Sequence, residues 1–279
     1  MKRAISIKSV TLLLVLFASG SASLGYAQTA AATATPAPSA EDVAKAEEII
    51  KRAIEVLGGE AYLNVRNTIG KGLFSPYRAG VSEPPLRFVD YIVFPDKERT
   101  EFRGSGGRLI QTHLDNKGWL YDGAAKTLKD LPVEQAEDFK VSMRTSVENL
   151  LHGWWRKQGG TITYAGRREA GLARRNLTVR LTYPDGFWVE YEFGAKDGLP
   201  AKVLYLRRQK RPDIDEMEDI AEEDRFYNLL TFDGVTVPFI IDHFRAGTQT
   251  GRINYESVQF NQPMPDSLFT KPATVKDIK

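Results

Sequence analysis

Alternation of period two, interrupted by tight turns, constrains this chain more than any other feature. Leu177, Val179, Leu181 and Tyr183 alternate with Thr178, Arg180 and Thr182, so one face of the segment is apolar and the other polar. Pro184-Asp185-Gly186 turns the chain, and Phe187, Val189, Tyr191 and Phe193 then alternate with Trp188, Glu190 and Glu192. Lys196-Asp197-Gly198 turns it again, into a strand over 201–208. Strand, tight turn, strand is the pattern of an antiparallel meander. It recurs upstream over 86–121 and downstream over 225–260. Roughly ten or eleven strands are expected by this count.

Only two stretches carry helical spacing. Ser39 and Asp42 form a cap, followed by Val43, Ala46, Ile49, Ile50, Ala53, Ile54 and Leu57 at three- and four-residue steps, and Gly58-Gly59 closes the helix. A second helix is expected over 132–157, with Pro132 in its first turn. Its apolar stripe is Ala136, Phe139, Met143, Val147, Leu150, Leu151 and Trp154. The helices separate blocks of strands instead of alternating with them, which argues against parallel βαβ units. The expected class is therefore mainly β (α+β), a curved antiparallel sheet with two long helices over its concave face.

The N-terminus addresses the chain to export. Lys2, Arg3 and Lys8 precede a short apolar run, and small residues lead to Gly25-Tyr26-Ala27, so 1–27 reads as a cleavable signal peptide. The run is too short for about 30 Å of hydrocarbon, which takes roughly 20 residues. The full chain carries +2 formally, and the leader holds three basic residues and no acidic one, leaving −1 for the remainder. That balance offers no electrostatic case for nucleic acid. With no cysteine, the chain owes nothing to disulfides and has no thiol for a lipid anchor. Residues 28–39 are an Ala/Thr/Pro linker, and 40–279 are expected to form a single domain.

Chemistry is sparse. His113, His152 and His243 lie in no metal-ligand spacing, and each reads more simply as a packed ring. There is no G-x-S-x-G elbow, and Ser105 among its glycines is followed by a strand, so it serves neither as a nucleophile nor as part of a phosphate cradle. The acidic run Asp213, Asp215, Glu216, Glu218, Asp219, Glu222, Glu223 and Asp224 lacks a calcium-loop order and reads as a hydrated inter-strand loop. No cofactor, metal or enzymatic activity is expected. What remains is apolar surplus: 4 Trp, 11 Tyr and 14 Phe. These residues either pack an ordinary core or line a cavity between sheet and helices, and the sequence leaves both open. For a cavity, the candidate ligand-binding residues are Phe139, Met143, Val147 and Trp154 from the helix, with Val179, Leu181, Phe187, Val189 and Tyr191 from the sheet.

One set of phrases, in order, resembles a known group. They are Leu57-Gly58-Gly59-Glu60-Ala61-Tyr62-Leu63-Asn64-Val65-Arg66-Asn67 before a strand over 68–74, then Phe94-Pro95-Asp96-Lys97-Glu98-Arg99, then Gly118-Trp119 near Asp122-Gly123. Phe232-Asp233-Gly234-Val235-Thr236-Val237-Pro238 and Asn261-Gln262-Pro263-Met264-Pro265-Asp266-Ser267-Leu268-Phe269 complete it. The chain resembles the LolA/LolB-like superfamily over 41–269, nearer its uncharacterised outer membrane lipoprotein-sorting relatives than the transport carrier. The resemblance implies an open half-barrel with helices as a lid, a periplasmic location, and a cavity for lipoprotein acyl chains or another lipid. A membrane-associated partner protein is the further partner class it implies. A sensor or interaction module of the same fold is the alternative. No local motif matches the carriers' lid arginine, so no residue's role transfers.

Overall fold

The computed structural model describes residues 38–104, 106–115, 117–171, 173–210 and 216–278. The expected leader, most of the linker, Ser105, Asp213 and Asp215 lie outside them. Helix α1 (Ala40–Leu57) begins where the cap signal places it: the Ser39 hydroxyl accepts the Asp42 N–H at 3.0 Å and donates to the Asp42 carboxylate at 2.7 Å. Its buried stripe is Ala46, Ile49, Ile50, Ala53 and Leu57, and each larger member contributes roughly 1.5–3 kcal/mol by leaving water. Gly58, at φ 124°, ends the helix, and a Cβ there would collide with the Gly234 carbonyl. Glycine is required at this position for both reasons.

After the short helix α2 (Glu60–Leu63), the chain forms a first meander: β1 (Asn67–Arg78), β2 (Val81–Ser82), β3 (Leu86–Val93), β4 (Lys97–Gly104), β5 (Gly107–Leu114), β6 (Lys117–Asp122) and β7 (Thr127–Asp130). A helical segment follows, made of α3 (Val133–Thr145), α4 (Val147–Leu151) and a 3-10 turn, Trp154–Gln158. The second meander is β8 (Thr161–Glu169), β9 (Arg175–Thr182), β10 (Trp188–Gly194), β11 (Pro200–Lys210), β12 (Met217–Phe232), β13 (Val235–Arg245) and β14 (Thr248–Phe260). Strand β14 pairs antiparallel with β1, fusing both meanders into one open, curved sheet in the order β7-β6-β5-β4-β3-β1-β14-β13-β12-β11-β10-β9-β8. The chain leaves this sheet at β7 and re-enters at β8, its two opposite edges. The connecting helices must therefore cross one face, and they make its cover.

Three local details differ from the sequence reading. The sheet holds 14 strands among the described residues, the additions including the short β2 and β7. The acidic stretch from Met217 onward is strand, not loop, because cross-strand partners neutralise it: Glu222 meets Arg245 and Asp224 meets His243 in the β12–β13 register, and Asp219 meets Arg208 in the β11–β12 register. The stretch 132–157 is not one helix. Ser146 is extended (φ −62°, ψ 151°), and its hydroxyl donates to the Met143 carbonyl at 3.0 Å and accepts the Asn149 N–H at 3.1 Å. Its side chain caps a new helix in competition with continuing the old one. Pro132 occupies the cap of α3, one place before its first turn.

The larger core lies between α1, α4 and the second meander, joining the α1 stripe to Leu150, Leu151, Trp155, Ile162, Val179, Leu181, Val189, Tyr191 and Phe193. The smaller one, Phe74, Phe88, Phe102 and Leu109, belongs to the first meander. The face expected to be wet is not wholly so. Glu190 and Glu192 are buried there, held by Arg180 at 2.7 Å, by Arg168 at 3.3 Å and by Lys202 at 2.7 Å. On the first meander that face is covered by the C-terminal segment: Phe269 is buried, and its carbonyl accepts the Trp119 indole N–H at 2.8 Å.

Candidate functional site

A cavity of about 380 Å³ opens between the α3–α4 junction and the sheet, a volume within the roughly 300–1,000 Å³ range of small-molecule sites. Its roof is Ser142, Thr145, Ser146, Val147 and Glu148. Phe74, Val203, Phe226, Val237, Ile241 and Ile253 give it an apolar floor drawn from β1, β11, β12, β13 and β14, while Leu57 and Tyr62 close one side. The helix break at Ser146 thus lies directly over the cavity.

The roof is pinned to the sheet by polar contacts. Asp138 of α3, itself buried, pairs with Arg207 of β11. Arg144 makes a bidentate pair with Asp185 at 2.8 and 3.0 Å and stacks on Tyr183, 3.8 Å from its ring centre. Asn149, fully enclosed, donates to the Arg144 carbonyl and to the Tyr183 hydroxyl, both at 2.7 Å. These contacts tie the end of one helix and the start of the next to the β9–β10 hairpin.

The cavity wall is acidic. Glu98, Glu148, Glu222 and Asp224 line it, with His243 and, among the described residues, no lysine or arginine. Glu222 is balanced from behind by Arg245 at 2.6 Å, and Asp224 by His243 at 2.6 Å. Burial works against charge on His243, but Asp224, helped by Asp242 and Glu222, overrides it and raises the ring's pKa. Glu98 and Glu148 form no salt bridge among the described residues, and the cross-strand neighbour of Glu98 is His113, which burial holds neutral. Burial raises both carboxyls, and for Glu98 the neighbouring Asp90 charge raises it further. Asp90, buried beside it, is raised by burial despite the Thr100 hydroxyl donating to it at 2.8 Å. The Tyr62 hydroxyl is buried without a hydrogen-bond partner.

Of the residues expected to touch a ligand, Val147 lines the cavity. Met143 sits on α3 beside the roof residue Ser142, partly exposed. Phe139 is buried against His113, with ring centres 4.5 Å apart and planes 16° apart. Trp154 stacks on His152 at 4.7 Å, and Phe187 packs under Arg144 and against Tyr205. Val179, Leu181, Val189 and Tyr191 are enclosed in the larger core beneath α1 and α4. The cavity residues not named from sequence (Glu98, Phe226, Ile241, Ile253) come from strands far apart in the chain. Their signal was strand alternation, which assigns a face without saying which part of that face stays uncovered.

All three histidines make ring or charge contacts. His113 is lowered to about 4 by burial, and His152 lies between Tyr62 and Trp154. No group of three or more His, Asp or Glu among the described residues is arranged to hold a metal ion. No helix among them is long and apolar enough to cross a membrane.

With this geometry in hand, the chain can be set beside known proteins. No protein-family model matches its sequence, and no curated protein matches it significantly. Solved structures do share its architecture. A LolA superfamily protein from Nitrosomonas europaea superposes with TM-score 0.52 at 12% identity, over 81% of this chain and 97% of that one. A domain described as an outer membrane lipoprotein-sorting protein from Vibrio parahaemolyticus gives 0.50 at 12%, over 81% and 97%. A DUF1329 family protein from Desulfovibrio piger gives 0.52 at 11%, over 82% and 97%. The fold of this chain is LolA-like: a curved antiparallel sheet with helices over its concave face. At such identities, fold is what the likeness shows.

Proposed function

We propose that this protein is a non-enzymatic periplasmic carrier or chaperone that holds an acyl chain, of a lipid-modified protein or of another hydrophobic ligand, in the cavity beneath the α3–α4 junction. The cavity carries the reading: apolar floor, helical roof, and a volume suited to part of a chain. The export signal read over 1–27 supports the compartment, and the lipoprotein-sorting description of one structural relative supports the cargo class. Burying a chain gains about 0.8 kcal/mol per methylene, from which the association cost is subtracted. Of the lid residues expected to touch it, Val147 lines the cavity, whereas Met143 lies beside the roof residue Ser142 and is not part of the lining.

A neutral, environment-sensitive fluorescent acyl probe is expected to bind saturably and to be displaced by unlabelled chains. Ile241→Trp, which fills the floor, should abolish binding with little change in melting temperature. Absence of saturable binding to folded protein overturns the reading. The alternative, a protein-interaction module, is favoured by one observation: among the described residues β8 ends the sheet and pairs only with β9, and such an end strand is the kind of surface that accepts an added strand.

A further inference from the structure

From the cavity's charge pattern, we infer that its ligand is cationic: an amphiphile whose apolar body rests on the Phe226–Ile241–Ile253 floor and whose amine sits between Glu98 and Glu148. This rests on the carrier reading above and narrows its ligand class. Among the described residues the wall has no lysine or arginine, and three bases near it are engaged: Arg245 with Glu222, Arg207 with Asp138, His243 with Asp224. His113, cross-strand from Glu98, is held neutral by burial, its pKa lowered to about 4. Glu98 reaches the cavity from β4 and Glu148 from the first turn of α4, so sheet and roof each supply one carboxylate. Independently of these acids, Tyr62 also lines the cavity. It is 5% exposed, and its hydroxyl has no hydrogen-bond partner. It lies close enough to Glu148 for that charge to raise its pKa. A buried hydroxyl left without a partner has a substantial cost unless a ligand group meets it.

Physical chemistry favours an ammonium over a carboxylate here. An ammonium would give the Glu98 and Glu148 carboxyls a cation against which they can ionise and pair, whereas a fatty acid or an anionic headgroup would find no cation on the described wall. Burial raises both glutamates, and a bound cation would restore their ionised forms.

The test uses three probes of equal chain length below their micelle concentrations: dodecylamine, dodecanol and dodecanoate. Each competes with the neutral fluorescent probe on the purified protein. Dodecylamine is expected to bind about tenfold or more tightly than dodecanoate, roughly 1.4 kcal/mol or more, with dodecanol between. Glu148→Gln and Glu98→Gln, nearly isosteric, should each weaken dodecylamine severalfold and leave dodecanol unchanged, and Tyr62→Phe should weaken the amine without moving dodecanoate. Equal or tighter binding of dodecanoate overturns the cationic assignment and leaves the carrier reading standing. The same holds for glutamine variants that keep the full preference while folded. If none of the three displaces the probe, or the probe itself does not bind, the carrier reading falls and the charge assignment with it.

Discussion

Asp90 and Glu98 lie diagonally across the β3–β4 ladder, since Asp90 pairs with Thr100 and Ile92 with Glu98. Two carboxylates so placed, with burial raising both, hold protons more tightly in the folded chain than in the unfolded one. The sign follows from linkage: this contribution to stability is full below the ordinary carboxylate range and is lost as pH rises through the raised values. Asp90→Asn keeps the acceptor for the Thr100 hydroxyl and removes the titration. It should melt near wild type at about pH 4 and above wild type at about pH 8, measured by calorimetry at both. A difference independent of pH would mean that Asp90 is not the group that titrates. Buried histidine behaves oppositely. His113, held neutral down to about 4, contributes stability that is lost as pH falls below the ordinary histidine range.

Among the elements, the α3–α4 junction is the most informative. Apolar spacing from Ala136 to Trp154 is continuous through it, so periodicity alone reads one helix. The break comes from Thr145 and Ser146, whose hydroxyls bond backbone carbonyls at 3.0 Å, and from Asn149, which binds the preceding helix end and Tyr183. The Ser146-x-x-Asn149 phrase was the available signal, but Tyr183 is distant in sequence and invisible to local reading. Asn149→Ala should cost roughly 1–3 kcal/mol, the order of a buried hydrogen bond removed without replacement. It should also speed hydrogen exchange in α4 before α1. Exchange that rises uniformly would show the junction to be an ordinary part of the global unfolding unit.

At the scale of the molecule, the sheet is covered on both faces by different devices. Helices α1 and α4 seal the second meander. Val179, fully buried there, is expected to tolerate no charge, and Val179→Asp should cost on the order of 3–5 kcal/mol. A melting temperature unchanged by that substitution would mean the face is wrongly assigned. On the opposite side, the C-terminal segment covers the first meander. Phe269→Ala should cost roughly 3–5 kcal/mol by denaturant titration, and a loss below about 0.5 kcal/mol would show that the segment is a surface passenger.

Local sequence determined a good deal about this protein. The cap at Ser39, the α1 stripe, the glycine stops and the period-two faces of β9 and β10 all depend on contacts within a few residues. Backbone geometry imposes those periods wherever the segment ends up. The order of the turns was legible for the same reason, and with it the antiparallel meander. The placing of helices over the concave face was legible too, from the way they separate blocks of strands. Only tertiary structure decided that β14 would close against β1 and that Glu98, Glu148, Ile241 and Ile253 would meet around one space. The alternation that buries Val179 is the same one that turns Phe226 and Ile241 inward. Which of these is sealed and which borders a cavity depends on where the helices stop covering the sheet. That boundary is drawn by the Ser146 break and by long-range pairs such as Asp138–Arg207, and no local pattern encodes it.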